Sequence, residues 1–363
     1  MTKKTRYFLA ASAAVLVAGL GVGLVAYYGG GFPSLSASRS GPSELSYVPP
    51  DATVVAFANV REVMDSELRR KLKEALPAEH EQGQQEFQNL TGIDIERDIQ
   101  YVIAAMTSPD PRDGNGLVVA RGTFNVAQLE TLVRDHGGTV QEYKGKRLVI
   151  CSAVKVENPD VPQMPEQHPL GHTMALAFLE PGLVAIGSET AIKSSIDAQL
   201  TAHSITSNDQ MMELISEIER GNNTWAVGRF DAIAGHAKLP DEIRGRIPAI
   251  TTFAVMTHID GGVTGTLRAE TRDEASAENL RDVVRGLVAL GKLQSQNDPK
   301  VTAMLQSLQL TGTGKTVALS FAVPSEIIDM IPKAMHGVHD GAAARTPMPP
   351  VPPQPPAPPQ PDK

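Results

Sequence analysis

The sequence is poor in cysteine, in aromatic residues and in positive charge. Its single cysteine, Cys151, excludes an intramolecular disulfide and a zinc site built from several thiolates. Four of the 33 basic residues lie in the first 40 positions, which contain no acid, so the rest of the chain has 29 basic residues against 41 acidic ones. Such a domain repels nucleic-acid phosphates, and no concentrated basic patch offsets the repulsion. We therefore expect no nucleic-acid partner.

A long uncharged stretch follows three basic residues at the N-terminus. Lys3, Lys4 and Arg6 precede the apolar run from Tyr7 to Tyr28, which would reach ~33 Å as a helix and so could span a bilayer. The apolar region of a secretory signal peptide is shorter, ~7–15 residues. Residues 1–28 are thus predicted to be a cytoplasmic stub and transmembrane anchor, with a cleaved signal peptide as the alternative. The basic residues should stay inside, which gives a single-pass protein with its globular part outside the cytoplasm.

Two segments have the composition of linkers. Residues 29–47 are rich in Gly and Ser and are predicted to be a flexible spacer above the membrane. The tail, residues 338–363, contains the proline-rich stretch Pro347 to Pro361 and is predicted to be disordered or polyproline II. This tail is interpreted as a stiff extension, with a docking ligand for an aromatic groove as the alternative.

Between these segments, β-branched apolar runs bounded by turn residues predict strands. The runs are Thr53–Val60, Tyr101–Thr107, Leu117–Thr123, Arg147–Val154, Met174–Leu179, Leu183–Gly187, Thr224–Phe230, Thr252–Ile259, Val263–Ala269 and Thr316–Val323. Apolar residues at helical spacing predict helices between them. One stripe consists of Leu280, Val283, Val284, Leu287 and Leu290, and a second consists of Ile192, Ile196 and Leu200, with Ser188 as the N-cap. Two further helices are predicted, from Val126 to His136 and near Pro299 to Leu308.

An internal repeat emerges when these elements are placed in order. The matching pairs are Ala104–Thr107 with Ala254–Thr257, Leu129–Arg134 with Leu280–Arg285, and Gly145–Lys146 with Gly314–Lys315. The order strand, helix, strand, strand, helix, strand is that of a ferredoxin-like β-α-β-β-α-β unit. We therefore predict an α+β fold of two tandem ferredoxin-like repeats, residues 48–220 and 221–337, with mainly antiparallel sheet and helices on one face.

Three segments resemble uncharacterised bacterial envelope proteins of the domain-of-unknown-function kind. They are Val48–Val60, Thr91–Ile99 and Leu183–Ser188. The resemblance implies a membrane segment followed by a repeated α+β domain in a bacterial cell envelope, which places the domain on the periplasmic side of the inner membrane. It implies no catalytic residues, because this family has no assigned activity.

Two motifs resemble catalytic or phosphate-binding signatures but lack the structural context. Thr311–Thr316 has the end of a phosphate-binding loop, yet its first glycine is missing and a strand is predicted to follow Lys315 where a helix is required, so a β-turn is expected. Ser152 and Lys155 have the spacing of penicillin-recognising enzymes, which requires a helix. On a predicted strand, a spacing of three sends the two side chains to opposite faces.

The remaining chemistry-bearing residues also have plain interpretations. Cys151 is expected to be a buried inert thiol, and His336, His339 and Asp340 would make an exposed metal site short of ligands. The acidic cluster Asp94, Glu96 and Asp98 lacks the glycine and terminal glutamate of a calcium loop and is expected to be solvated charge.

These observations predict no catalytic, cofactor-binding or metal-binding residue, and no enzyme activity. We expect a membrane-anchored, non-catalytic binding or scaffolding module that recognises an envelope protein or a small hydrophobic ligand. The alternatives are an envelope hydrolase whose residues come from distant loops and a structural spacer. The long Pro-rich segment from Val156 to Gly171 is the local candidate for a functional surface.

Overall fold

The computed structural model describes residues 42–75, 85, 87–89, 91–108, 116–135, 138–151, 174–218, 221–230, 250–294 and 299–324. The strands are β1 (Val54–Ala58), β2 (Ile99–Met106), β3 (Gly116–Gly122), β4 (Thr139–Tyr143), β5 (Lys146–Cys151), β6 (Met174–Glu180), β7 (Leu183–Ser188), β8 (Thr224–Arg229), β9 (Ile250–Ile259), β10 (Gly262–Thr271), β11 (Gln309–Thr311) and β12 (Thr316–Pro324). The α-helices are α1 (Glu67–Ala75), α2 (Ile95–Asp98), α3 (Val126–Asp135), α4 (Glu189–Leu200), α5 (Asp209–Ser216), α6 (Glu274–Gln294) and α7 (Pro299–Ser307).

All described strands form one antiparallel sheet of 12 strands. Their order is β11-β12-β10-β9-β8-β1-β2-β3-β7-β6-β5-β4. The α+β class and the antiparallel sheet are therefore confirmed. The pairing of β1 with β8 joins the two halves of the chain into one sheet.

The strand order corrects the ferredoxin-like prediction. In a ferredoxin-like unit the two strands joined by the first helix are separated by another strand. Here β1 pairs directly with β2, and β2 pairs with β3. The same direct order recurs in the second half, where β8 pairs with β9 and β9 with β10.

Helices cover both faces of the sheet, so the expectation of one covered face is also wrong. On the face called here the core face, Val55, Ile103 and Met256 pack in one cluster with Ile192 of α4 and Met211 of α5. Neighbouring strand residues point to opposite faces.

The other side of the sheet is called here the second face. Ile259, three residues after Met256, therefore lies on the second face, where it packs with Val63 and with Leu68 of α1. Helix α3 reaches the same face through the ion pair of Glu130 with Arg147, because Arg147 alternates with the core residues Leu148 and Ile150.

The β1–β8 register is symmetric, as in every regular antiparallel pair of strands. Ala56 pairs with Ala226, and each pair on either side has its counterpart: Val54 with Gly228, and Ala58 with Thr224. The symmetry about the Ala56–Ala226 pair can be continued from β1 into β2 and from β8 into β9. It then makes Ala105 equivalent to Met256, and both residues lie in the core cluster. The predicted equivalence of Met106 with Met256 is therefore off by one residue.

The segment Ser43–Tyr47 is a 3-10 helix and not part of a flexible spacer, which corrects the predicted linker 29–47. Leu45 and Tyr47 are buried in the main core, at 1% and 3% exposure. Their burial stabilises a segment that its composition alone predicts to be mobile.

One outer edge of the sheet is only partly paired. Strand β11 pairs with three residues of β12, from Ala318 to Ser320. Beyond it, the Ser307 hydroxyl at the end of α7 accepts the N–H of Ala322 at 3.0 Å and lies 3.0 Å from the carbonyl oxygen of the same residue. The side chain thus occupies the position of a neighbouring strand.

Candidate binding surface

An apolar groove lies between helix α6 and the second face of the sheet. Its floor comes from β9, β10 and β12, and Leu280 and Val284 of α6 form one wall. We call it the α6 groove. Its volume is about 360 Å³, which is in the range of small-molecule sites. The lining residues are Phe230, Ile250, Phe253, Ala254, Val255, Leu267, Arg268, Ala269, Leu280, Val284, Val317 and Leu319.

Chemically, the α6 groove offers almost only aliphatic and aromatic contacts. Arg268 is the single charged residue among the described lining residues. The Arg268 guanidinium forms ion pairs with Glu217 at 2.9 Å and with Glu270 at 3.4 Å. Because this charge is already paired, the groove favours an apolar occupant over a charged one.

A row of exposed apolar side chains continues from the groove along α6. Val283, Leu287, Leu290 and Leu293 are 41%, 62%, 52% and 66% exposed. Successive spacings of four and three residues place them along one side of the helix. We call them the leucine row. Together with Leu267, which is 41% exposed, the row extends the apolar surface beyond the groove, and contiguous surfaces of this kind commonly mark binding sites.

Helix α6 is predicted from a single apolar stripe, and the structure buries only part of it. Leu280 and Val284 face the groove, whereas Val283, Leu287 and Leu290 are exposed. The helix pattern is confirmed. The structure adds that part of this stripe lacks a partner among the described residues.

A second cluster, polar and buried, attaches the N-terminal 3-10 helix to the sheet. Glu44 is 3% exposed. Its Oε1 accepts hydrogen bonds from the Tyr101 hydroxyl at 2.6 Å and from Arg121 Nε and Nη2 at 3.0 and 2.6 Å. Close by, the Tyr47 hydroxyl donates to Glu180 at 2.8 Å. Every one of these groups has a partner, as expected for a structural network.

The ionisation of this cluster follows from its contacts. Burial alone raises the pKa of Glu44, but the hydrogen bonds from Tyr101 and Arg121 outweigh burial and hold that pKa below its usual value. Burial and the hydrogen bond to Glu44 raise the pKa of Tyr101 to about 12. Burial and the contact with Glu180 raise the pKa of Tyr47. Glu44 is therefore held as a carboxylate between a neutral phenol and a guanidinium, and none of the three groups is left free for acid or base catalysis.

The motif Thr311–Thr316 forms the β-turn that was predicted. The N–H of Thr316 bonds the carbonyl of Thr313 at 3.1 Å, and Gly314 has φ 58°. Lys315 leads into β12 and not into a helix. In the matching segment, Gly145 and the preceding Lys144 form a tight turn between β4 and β5, with φ 79° and 49°.

The acidic cluster is used for capping and ion pairs. Asp94 caps α2 by accepting the N–H of Glu96 at 2.9 Å, and Asp98 accepts the N–H of Asp94 at 2.7 Å. Glu96 pairs with Arg69 at 2.6 Å and with Lys73 at 3.2 Å. The three carboxylates are thus satisfied by the protein itself, and the prediction of plain solvated charge misses these contacts.

Several predicted positions lie outside the described residues: Ser152, Lys155, Val156–Gly171, His336, His339, Asp340 and the apolar stretch Tyr7–Tyr28. Cys151 ends β5 and pairs with Met174, and its shielding stays a prediction. In the described part of the chain, no group of three or more His, Cys, Asp or Glu side chains is arranged to hold a metal ion. Within the same residues, no helix combines the length and the apolar character needed to cross a membrane.

Comparisons with known proteins give one distant likeness. No protein-family model and no curated protein sequence matches the chain. A solved structure described as crystal form I of TP0453 is similar over 81% of this chain and 98% of that chain, with 10% sequence identity and a TM-score of 0.41. A likeness this distant supports no argument about function.

Proposed function

We propose that this protein is a membrane-tethered, extracytoplasmic binding module without catalytic activity, and that its α6 groove holds the aliphatic chain of a small hydrophobic ligand. The α6 groove is the observation that carries the proposal. Apolar pockets of this size bind ligands mainly through burial of apolar surface.

The arrangement of polar groups favours binding over catalysis. Arg268 is paired with acids, and the Glu44 cluster is satisfied internally. A catalytic site needs a nucleophile, acid or base within reach of a bound substrate. The described lining of the groove supplies contacts and one paired charge. The hydrolase and spacer hypotheses stay open to the same experiments.

Photolabelling of the full chain in its membrane tests the proposal. A photoactivatable hexadecanoic acid should label peptides that line the α6 groove, as mapped by mass spectrometry. Leu267→Asn places a polar amide in the groove floor at a position that is 41% exposed, so the fold should tolerate it. We expect labelling to fall about tenfold, which corresponds to the loss of one buried leucine contact.

Leu200→Asn is the matched control, because Leu200 is also exposed, at 50%, and lies on α4 outside the groove. Its labelling should equal that of the native chain. Labelling that is unchanged by Leu267→Asn, or that maps only to Tyr7–Tyr28, would contradict the proposal.

The orientation in the membrane is proposed from Lys3, Lys4 and Arg6 before the apolar stretch. A reporter that is active only outside the cytoplasm, fused after Lys363, should be active. A stably expressed but silent fusion would show the opposite orientation.

We also propose that the two halves of the chain are copies of one unit. The recurring direct strand order supports it. So does the placement of α3 and α6 on the same face of the sheet. In an experimental structure, a superposition of β1, β2 and β3 on β8, β9 and β10 should also bring α3 onto α6. Helices that fail to coincide would count against a duplication.

A further inference from the structure

The chain leaves the described fold beside the leucine row. Strand β12 ends at Pro324, which pairs with Gly262. At this end of β12, Ser307 of α7 bonds the backbone of Ala322 at 3.0 Å. Leu305 of the same helix approaches Gly291 of α6. The C-terminal half of α6, with Leu287, Leu290 and Leu293, therefore lies near the point where residue 325 begins.

The sequence that follows Pro324 is apolar enough to cover this surface. Five large apolar residues occur within nine positions: Ile327, Ile328, Met330, Ile331 and Met335. The Pro-rich tail begins only later, at residue 338. A segment of this composition and an uncovered leucine row are both unfavourable in water, and contact between them removes both surfaces from it.

We infer that residues 325–336 dock against the leucine row and the adjoining mouth of the α6 groove. Twelve residues reach ~18 Å even when helical. The distance to be covered is the part of β10 from Gly262, which pairs with Pro324, to Ala269, which lines the groove. In a strand this part is ~23 Å long. The segment can therefore cover the row and compete for the nearer part of the groove.

This chain's own segment is favoured over a second copy of the protein because of its tether. A short covalent connection gives an effective concentration in the millimolar range. A second molecule would have to reach that concentration in the membrane. The inference rests on the proposed function in one respect: if the groove binds an aliphatic chain, residues 325–336 are its competitor and lower its apparent affinity.

Disulfide trapping tests the docking in the full chain without any ligand. In a Cys151→Ser background, Leu290→Cys combined with Ile328→Cys should form an intramolecular disulfide under mild oxidation, identified by mass spectrometry. The control pair, Leu200→Cys with Ile328→Cys, should stay reduced. Equal trapping of both pairs, absence of trapping, or disulfides formed mainly between two copies through Cys at position 290 would overturn the inference.

Photolabelling tests the competition separately. Ile327→Asp with Ile328→Asp in the full chain should raise labelling of groove peptides by the photoactivatable hexadecanoic acid at least threefold. Unchanged labelling of a groove that does bind the probe would reject the competition. If groove peptides are labelled neither in the native chain nor in the variant, the proposed ligand is wrong, and disulfide trapping alone decides the docking.

Discussion

Replacing Arg121 by alanine is expected to lower the free energy of unfolding by about 3–5 kcal/mol, because the change leaves a buried carboxylate without its counter-charge. Glu44 is 3% exposed and receives two of its three hydrogen bonds at Oε1 from Arg121. Guanidinium chloride unfolding of the native and substituted chains, followed by far-UV circular dichroism, measures the difference.

Lys144→Ala serves as the control. Its ion pair with Asp197, at 2.7 Å, joins side chains that are 47% and 39% exposed, so its removal should cost about 1 kcal/mol or less. Equal losses for the two variants would mean that the Glu44 cluster is no more important than a surface pair.

The Arg121 effect should also depend on pH. The pKa of Glu44 is lower in the folded chain than its usual value of 4.5. The carboxylate therefore contributes stability above pH 4.5, and this contribution is lost as the pH falls through the lower, folded-state pKa. The difference between Arg121→Ala and the native chain should shrink over the same range. A difference that stays constant there would point to lost packing of the arginine stem.

Trp225→Ala is expected to destabilise the protein by about 3–5 kcal/mol, the usual cost of deleting a buried aromatic side chain. Trp225 is 8% exposed and stacks on Phe57 with ring centroids 5.6 Å apart. The two rings belong to β8 and β1, the strands that join the halves. Because Trp225 is the only tryptophan, unfolding of this variant has to be followed by circular dichroism.

Trp225→Phe keeps a ring opposite Phe57 and should cost much less than the alanine substitution. An alanine variant that is as stable as the phenylalanine variant would show that the stack contributes little. Separate unfolding of the two halves in Trp225→Ala would show that the stack couples them.

The sequence predicts most strands of this fold because their apolar residues are β-branched and continuous. All ten predicted strands are present, with ends that shift by a few residues. The two missed strands, β4 and β11, lie at the sheet edges. Thr139–Tyr143 carries the exposed polar residues Gln141 and Glu142, and β11 has three residues. Edge strands bury little surface, so the apolar pattern that identifies a strand is weak in them.

Strand order could not be predicted in the same way. The pattern of apolar residues tells which residues are buried, but it does not tell which strand lies alongside which. The predicted repeat pairs Met106 with Met256 because the two residues are identical. In the fold, equivalent positions share a face of the sheet, and Ala105 is the residue on the same face as Met256. Ser43–Tyr47 is held by residues far along the chain, such as Arg121, 77 residues away from Glu44, a distance over which local composition carries no information.

The proposed binding surface was only half predictable. The apolar residues of α6 are visible in the sequence, but helical spacing alone cannot show which of them find a partner. The five apolar residues from Leu280 to Leu290 form a stripe of ordinary width for a helix that packs on a single surface. The sequence therefore gives no signal that Val283, Leu287 and Leu290 are exposed, as the structure shows.

The hydroxyl of Ser307 has a consequence for how copies of this protein behave at high local concentration. An unpaired strand edge is a template onto which an extended segment of another molecule can add. At Ala322 both backbone groups that such a segment would need lie 3.0 Å from the Ser307 oxygen. Ser307 therefore blocks the edge of β12 at Ala322, beyond the residues that pair with β11. A neighbouring copy cannot add a strand to the sheet there.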